Sequence, residues 1–338
     1  MRYICTLVLL FIASAIGCDR AGSSSSGDGG PDTPGEVRLG YLGNVTQAQA
    51  VLGTSSADFE HAIAPTKFTP MVFNAGPSLI EALLSGNIDI GYVGPGPALS
   101  ASEKTHQQGI RVIASAAANG VLIVARRNAG INTLRDLRDR KLGTPQQGNT
   151  QDIAARHYLS RELGQSDTNN VMPATNSEQL SMMNLGQIDA AWLPEPWGSL
   201  MLIDGNSKLI AEEKDLWPGN RSVLTVIVTT PEFLARYPET VKQILGVHLT
   251  WTSRLQKNPQ QYANQLGDAL AALNGGKKLP PEVLVESLKH VDFTSESQPL
   301  AETFNTMGQW AVDLGFARTS PKLDGLIDTT LIEQVRKK

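Results

Sequence analysis

Cysteine is almost missing from this chain: 338 residues contain two, Cys5 and Cys18, both near the amino terminus. Everything downstream is without a thiol, which excludes an internal disulfide there and cysteine-based catalysis. Histidine is scarce too. His61, His106, His157, His248 and His290 are scattered, with no H-E-x-x-H and no pair at ligand spacing, so no metal site is expected. No G-x-x-x-x-G-K-[ST] loop is present, Gly94-Pro95-Gly96-Pro97 fits no dinucleotide fingerprint, and no G-x-S-x-G elbow occurs. No cofactor is expected. Positive charge never gathers: the net charge is −4 with no basic block, whereas nucleic-acid recognition needs a Lys/Arg-rich face. The longest apolar run, Ile4 to Ile16, is too short to span a bilayer comfortably.

That run has another meaning. Arg2 supplies a positive start, the apolar stretch follows, and small residues close it, which is the pattern of an export signal covering residues 1–17. Residues 18–35 are Ser, Gly, Asp and Pro with nearly no apolar side chain and form a flexible tether. The site Ala15-Ile16-Gly17-Cys18 resembles the lipobox of bacterial lipoproteins. The resemblance implies that Cys18 is acylated, becomes the first mature residue and anchors the chain. Asp19 resembles the signal that retains such lipoproteins on the outer face of the cytoplasmic membrane in diderm bacteria, the periplasmic side. The other reading is an ordinary signal peptide that contains a cysteine.

The rest is organised around a phrase stated twice. Leu84 to Pro95 reads L-S-G-N-I-D-I-G-Y-V-G-P and Asn184 to Pro194 reads N-L-G-Q-I-D-A-A-W-L-P, so Gly86, Ile88, Asp89 and Tyr92 recur as Gly186, Ile188, Asp189 and Trp192 at an offset of 100. Upstream, Arg38-Leu39-Gly40 is echoed by Lys141-Leu142-Gly143. Solenoid periods run from about 20 to 50 residues, so the offset describes two lobes of one build. In each, a helix ends at a glycine suited to the left-handed conformation, a short buried strand follows an Asp, and a proline-punctuated loop follows the strand. Such loops lie at the carboxyl ends of strands, where ligands bind in open α/β sheets.

The expected fold is α/β, with each lobe a mostly parallel sheet flanked by helices. Residues 36–126 and 224–338 form the first lobe and its carboxyl-terminal helices, and 127–223 form the second. Val37–Tyr41, Lys67–Asn74, Arg111–Ala117 and Lys141–Thr144 read as strands. Val121–Ala125 reads as a strand crossing to the other lobe, and Val223–Thr229 as the return. From Pro231 onward, helices each open near a proline or polar cap.

The lipobox, tether, echoed lobes and proline-opened helices together resemble a solute-binding protein of an ABC importer, of the group that binds aliphatic sulfonates, taurine and nitrate. The residues carrying the resemblance are Val37 to Tyr41, Gly76 with Glu81-Ala82-Leu83, Gly86 to Gly91, Leu134 to Leu137, Ile188-Asp189-Ala190, Glu195-Pro196-Trp197 and Asp215 to Pro218. It implies the two-lobed periplasmic-binding-protein fold of type II, a hinge that closes on ligand, and permease and ATPase subunits as partners. Nitrate or another small oxyanion, and a pyrimidine vitamin precursor, are the alternative ligands. A sensor partner is a third reading. An enzyme is a fourth: pyrimidine-precursor synthases share the fold, but the resemblance implies a cysteine-rich motif that this chain lacks.

Helix starts near Thr46, Pro77, Pro97, Thr150 and Pro196 would aim free amides at one volume, with no Lys or Arg in those loops. That favours an oxyanion held by amides and by Asn44, Ser78, Asn149 and Thr150; the same residue types also simply cap helices. Gly76, Gly94, Gly96 and Gln147 belong to the same loops. Glu195 would meet an amino-bearing ligand end, or else favour its own helix dipole. Trp197 and Tyr41 would wall the pocket. Trp192 and Tyr92 are wall or core.

Overall fold

The computed structural model describes residues 33–337. Cys18, the expected signal and most of the expected tether lie outside the described residues.

The strands are β1 (Glu36–Leu42), β2 (Lys67–Phe73), β3 (Ile90–Val93), β4 (Arg111–Asn119), β5 (Val121–Arg126), β6 (Leu142–Thr144), β7 (Val171–Pro173), β8 (Ala190–Pro194), β9 (Ser207–Glu212), β10 (Val223–Thr229) and β11 (Val291–Phe293). The helices are α1 (Ala48–Ser55), α2 (Asp58–Ile63), α3 (Gly76–Leu84), α4 (Pro95–Lys104), α5 (Thr150–His157), α6 (Asn176–Asn184), α7 (Trp197–Ile203), α8 (Pro231–Arg236), α9 (Pro238–Lys257), α10 (Ala263–Leu273), α11 (Pro281–His290), α12 (Gln298–Asp313) and α13 (Thr330–Arg336).

Two sheets result. The first runs β2-β1-β3-β10-β4-β11 and the second β7-β6-β8-β5-β9. In each, three strands are parallel, and the next enters antiparallel: β10 beside β3, β5 beside β8. The sheets are thus mixed rather than mostly parallel, because β5 and β10 are the strands that the chain exchanges between lobes. Strand β5 pairs on both sides within the second sheet. The first crossing therefore falls between Asn119 and Val121, where Gly120 takes a φ of 79°, and not after residue 126.

The duplicated phrase has a physical basis beyond its glycines. Gly86 and Gly186 end α3 and α6 with φ of 71° and 69°, a conformation that an added Cβ disfavours. The acid three residues later then ties its strand to the neighbouring one. Asp89 accepts from the Arg38 amide at 2.7 Å and from the same residue's guanidinium at 2.7 and 3.0 Å. Asp189 accepts from the Lys141 amide at 3.1 Å and from the Arg126 guanidinium at 2.9 Å. Each lobe so pins the first strand of its unit to the third.

Helices cover all four sheet faces. Against the first sheet, α1, α2, α9, α10, α11 and α13 pack on one side, and α3, α4 and α12 on the other. Against the second, α5 lies on one side, and α6 and α7 on the other. The carboxyl-terminal helices also reach the second lobe. The Ser287 hydroxyl on α11 donates to Glu195 at 3.1 Å, and Trp310 on α12 stacks on His157 of α5 at 4.6 Å.

Candidate functional site

A cleft of about 360 Å³ opens between the carboxyl ends of the two sets of parallel strands. Its walls are helix starts. Asn44 precedes the 3-10 turn leading into α1, Ala75 and Ser78 stand at the start of α3, and Gly94 precedes α4. From the other lobe come Asn149 and Thr150 at the start of α5, and Thr175 and Asn176 at the start of α6. None of the lining residues carries a charge.

This geometry sets the electrostatics. The first amides of a helix have no intrahelical acceptor and sit at its positive end. In the first lobe the residues before the helices, Asn44, Ala75 and Gly94, accept no capping bond with their own side chains. The free amides belong to the starts of α1 and α3, since in α4 Pro95 and Pro97 have no N–H, Gly96 donates to Thr150 Oγ1 and Ala98 to the Gly94 carbonyl. In the second lobe the caps are local. The Asn149 side-chain oxygen takes the Thr150 amide at 3.0 Å. Thr175 and Glu178 form a reciprocal box at the start of α6, with the Thr175 amide donating to the carboxylate at 2.8 Å. The cleft therefore presents N–H donors and partial positive charge with no counter-charge of its own.

The polar walls are held from behind. Asp152, fully buried, accepts from Thr144 Oγ1 at 2.8 Å, from the Gly148 amide at 3.0 Å and from the Arg156 guanidinium at 3.0 Å. These bonds fix the loop that carries Gln147 and Asn149. Thr46 donates to the Asn44 side chain at 2.7 Å, and Thr225 on β10 donates to the Thr46 carbonyl at 3.0 Å. The Asn176 side-chain oxygen is buried and has no partner, which leaves one acceptor at the rim of the donor array.

The lobes touch at the mouth. The Gly96 amide donates to Thr150 Oγ1 at 3.2 Å, and a Cβ on Gly96 would meet the Thr150 amide nitrogen at 2.9 Å. A Cβ on Gly94 would collide with the Thr150 hydroxyl. Glycine is needed at residue 96 because another backbone passes this close, and at residue 94 because the Thr150 side chain fills the space.

The structure brings together Asn44, Ser78, Gly94, Gln147, Asn149 and Thr150 at the cleft surface. Five other residues expected there are elsewhere. Tyr41 is buried in the core of the first sheet, where β1 alternation points it inward. Gly76 stands behind the rim, facing Pro97. Gly96 lies beside the cleft, against Thr150. Trp197 packs on the cluster of Leu122, Val124, Leu193 and Met201.

Glu195 is fully buried outside the cleft. It accepts from the Ser199 amide at 3.1 Å and the Ser199 hydroxyl at 2.7 Å, besides Ser287. Burial raises its carboxyl above the ordinary value, against those three bonds. It is a tie between α7 and α11. Trp192 is core, and its indole donates to Glu213 at 2.6 Å. Tyr92 is core beside His248, at 3.2 Å.

Sequence reasoning missed the start of α6. The signal was present twice: Thr175-x-x-Glu178 is a capping box, and Thr175 and Asn176 are the counterparts of Ala75 and Gly76 at the offset of 100. Gly94 and Pro194, another such pair, both line the cleft.

Two lobes of one strand order, joined by exchanged strands around a donor-lined cleft, define a two-lobed α/β fold with its cleft between the lobes. The chain belongs to the NMT1-like family, which it matches over residues 30–266. A relative in Brucella abortus, named only as a binding protein, is 27% identical over 81% of this chain and 86% of its own. The taurine-binding periplasmic protein of Escherichia coli is 25% identical over 50% of this chain and 52% of its own.

Among solved structures, the alkanesulfonate-binding protein SsuA of Xanthomonas axonopodis, bound to MOPS, matches with a TM-score of 0.68 at 22% identity, covering 90% of this chain and 98% of its own. The periplasmic nitrate-binding protein NrtA of Synechocystis matches with a TM-score of 0.73 at 12% identity, covering 91% and 90%. These structural likenesses are of fold.

Proposed function

We propose that this chain is the exported solute-binding component of an ABC importer and that its cleft closes on a small aliphatic sulfonate. The observation that carries the reading is the wall of uncharged helix starts. Oriented amides and dipole ends stabilise an anion there, and a full positive charge is not required. Part of the same wall is apolar: Leu42, Ala75, Pro145, Pro173, Pro194 and Leu224. A sulfonate with a short alkyl chain uses both parts. Nitrate would engage the amides and leave the apolar wall uncovered.

The withdrawal of Glu195 from the cleft bears on the ligand. No acid faces the cleft, so neither the ammonium of an aminosulfonate nor the ring amine of a pyrimidine precursor finds a carboxylate. A plain alkanesulfonate needs none. The cleft also presents no general acid or base, which fits carriage of the ligand unchanged. Membrane permease and ATPase subunits are the partners this reading requires, and Cys18 is the proposed lipid anchor.

The test is a thermal-shift panel, since a ligand that binds the native state raises its stability by mass action. Ethanesulfonate and butanesulfonate are expected to raise Tm more than taurine, and nitrate least. A clear shift with nitrate and none with any sulfonate would overturn the ligand assignment. For the anchor, Cys18→Ser is expected to release the protein from the membrane fraction; retention there would contradict lipidation at Cys18.

A further inference from the structure

A second cavity, of about 410 Å³, lies between α5 and α12 and shares no residue with the cleft. Its walls are aromatic. Tyr158 and Trp192 lie 6.1 Å apart with their planes tilted by 55°, Trp217 meets Trp310 at 4.4 Å with a tilt of 49°, and His157 stacks on Trp310 at 4.6 Å. Glu213 is also part of the lining and is buried. Its two oxygens accept from Trp192 Nε1 at 2.6 Å and Trp217 Nε1 at 3.1 Å, which uses two of about four lone-pair positions. Glu162 adds a second acid, and no Lys or Arg lines the cavity. Burial pushes the Glu213 carboxyl up to about 7 and holds His157 below its ordinary value, so no imidazolium supplies the missing charge.

An acid retained among aromatic faces, with only neutral donors beside it, is a costly arrangement. It becomes favourable when a cation enters, because the ring faces and the carboxylate attract the same charge. We propose that this cavity is a second binding site, for an organic cation of the quaternary-ammonium kind. The apolar substituents of such a cation pack on Tyr158, Trp217 and Trp310, and its charge is met by Glu213. Inorganic cations suit the site poorly, since the lining offers too few oxygen ligands to replace a hydration shell.

Choline and its uncharged carbon isostere, 3,3-dimethyl-1-butanol, make the test. Binding to the full mature protein is followed by tryptophan fluorescence and by equilibrium dialysis. Choline is expected to bind saturably, and the isostere at least about tenfold more weakly. Glu213→Gln and Trp310→Leu are each expected to weaken choline by about tenfold. Should Glu213→Gln fail to fold, Trp310→Leu at its half-exposed position carries the comparison. The absence of saturable choline binding, equal binding of the isostere, or unaltered binding in the folded variants would overturn the proposal.

Discussion

Gly96 and Thr150 come from opposite lobes, and the amide of one donates to the hydroxyl of the other at 3.2 Å. A Cβ at residue 96 would stand 2.9 Å from the Thr150 nitrogen and 3.0 Å from its Cα. Backbone atoms cannot swing aside as a flexible side chain can. Gly96→Ala is therefore expected to hold the lobes apart. Because residue 96 lies in the first turn of α4, alanine does not harm the helix itself. Ligand affinity should fall by about tenfold or more, equivalent to ~1.4 kcal/mol, with little change in the Tm of the ligand-free protein. Calorimetric affinity beside a thermal melt checks this; unchanged affinity would contradict the closure geometry.

Glu195 gives a contrasting expectation. Its carboxylate ties Ser199 to Ser287, so Glu195→Ala leaves the Ser199 amide and hydroxyl unpaired in the interior, while Ser287 keeps the Val283 carbonyl at 2.7 Å. Each such group costs about 1–3 kcal/mol. The variant should lose several degrees of Tm, while the surviving folded fraction keeps its sulfonate affinity within about threefold, a difference of less than 1 kcal/mol. A selective loss of amino-bearing ligands alone would return Glu195 to the cleft.

Ser78 tests the wall directly. Its hydroxyl donates to the Ala75 carbonyl at 2.8 Å at the cleft surface. Ser78→Ala is expected to change stability by no more than about 0.5 kcal/mol. Sulfonate affinity should weaken several-fold, measured by fluorescence titration.

Stability against pH should show two opposed contributions. Glu213 has its folded value raised from 4.5 to about 7 by burial, so its contribution is present below about 4.5 and is lost as pH rises towards 7. His248 has its folded value lowered from 6.5 to about 4 by burial, so its contribution is present above about 6.5 and is lost as pH falls towards 4. Glu213→Gln removes the first alone. The difference in Tm between variant and parent should therefore move in the variant's favour from pH 4.5 to 7, by a free energy on the order of 3 kcal/mol. A difference constant with pH would mean that Glu213 does not titrate in this window.

Much of the fold was legible because its signals are local. Pro77 and Pro231 open helices where expected, α4 opens at Pro95 and so two residues before the expected Pro97, the glycines at 86 and 186 close α3 and α6, and the charge-free run Val223–Thr229 became the returning strand. The crossing at β5 was legible as well, although its boundary was set six residues late: Arg126 continues the pattern of a strand, while the turn at Asn119-Gly120 is marked by only one glycine. Cleft-lining residues that begin helices were legible for the same reason, as the positions of Asn44, Ser78, Asn149 and Thr150 show. Tyr41, Glu195 and Trp197 were not. Whether an aromatic or an acid beside a cleft faces inward depends on which helix packs behind it, and here α7 and α11, remote in sequence, meet around Glu195. The roles of Asp89 and Asp189 were missed because their partners Arg38 and Arg126 lie 51 and 63 residues away.

Calorimetry on the mature protein with butanesulfonate and with butylammonium, equal in chain and opposite in charge, tests most directly whether the helix starts form an anion cradle. Saturable binding of the sulfonate in the cleft, lost in Gly96→Ala, with no cleft binding of the amine, is the expected result. Binding of butylammonium that Gly96→Ala abolishes, with no heat from the sulfonate, would contradict it.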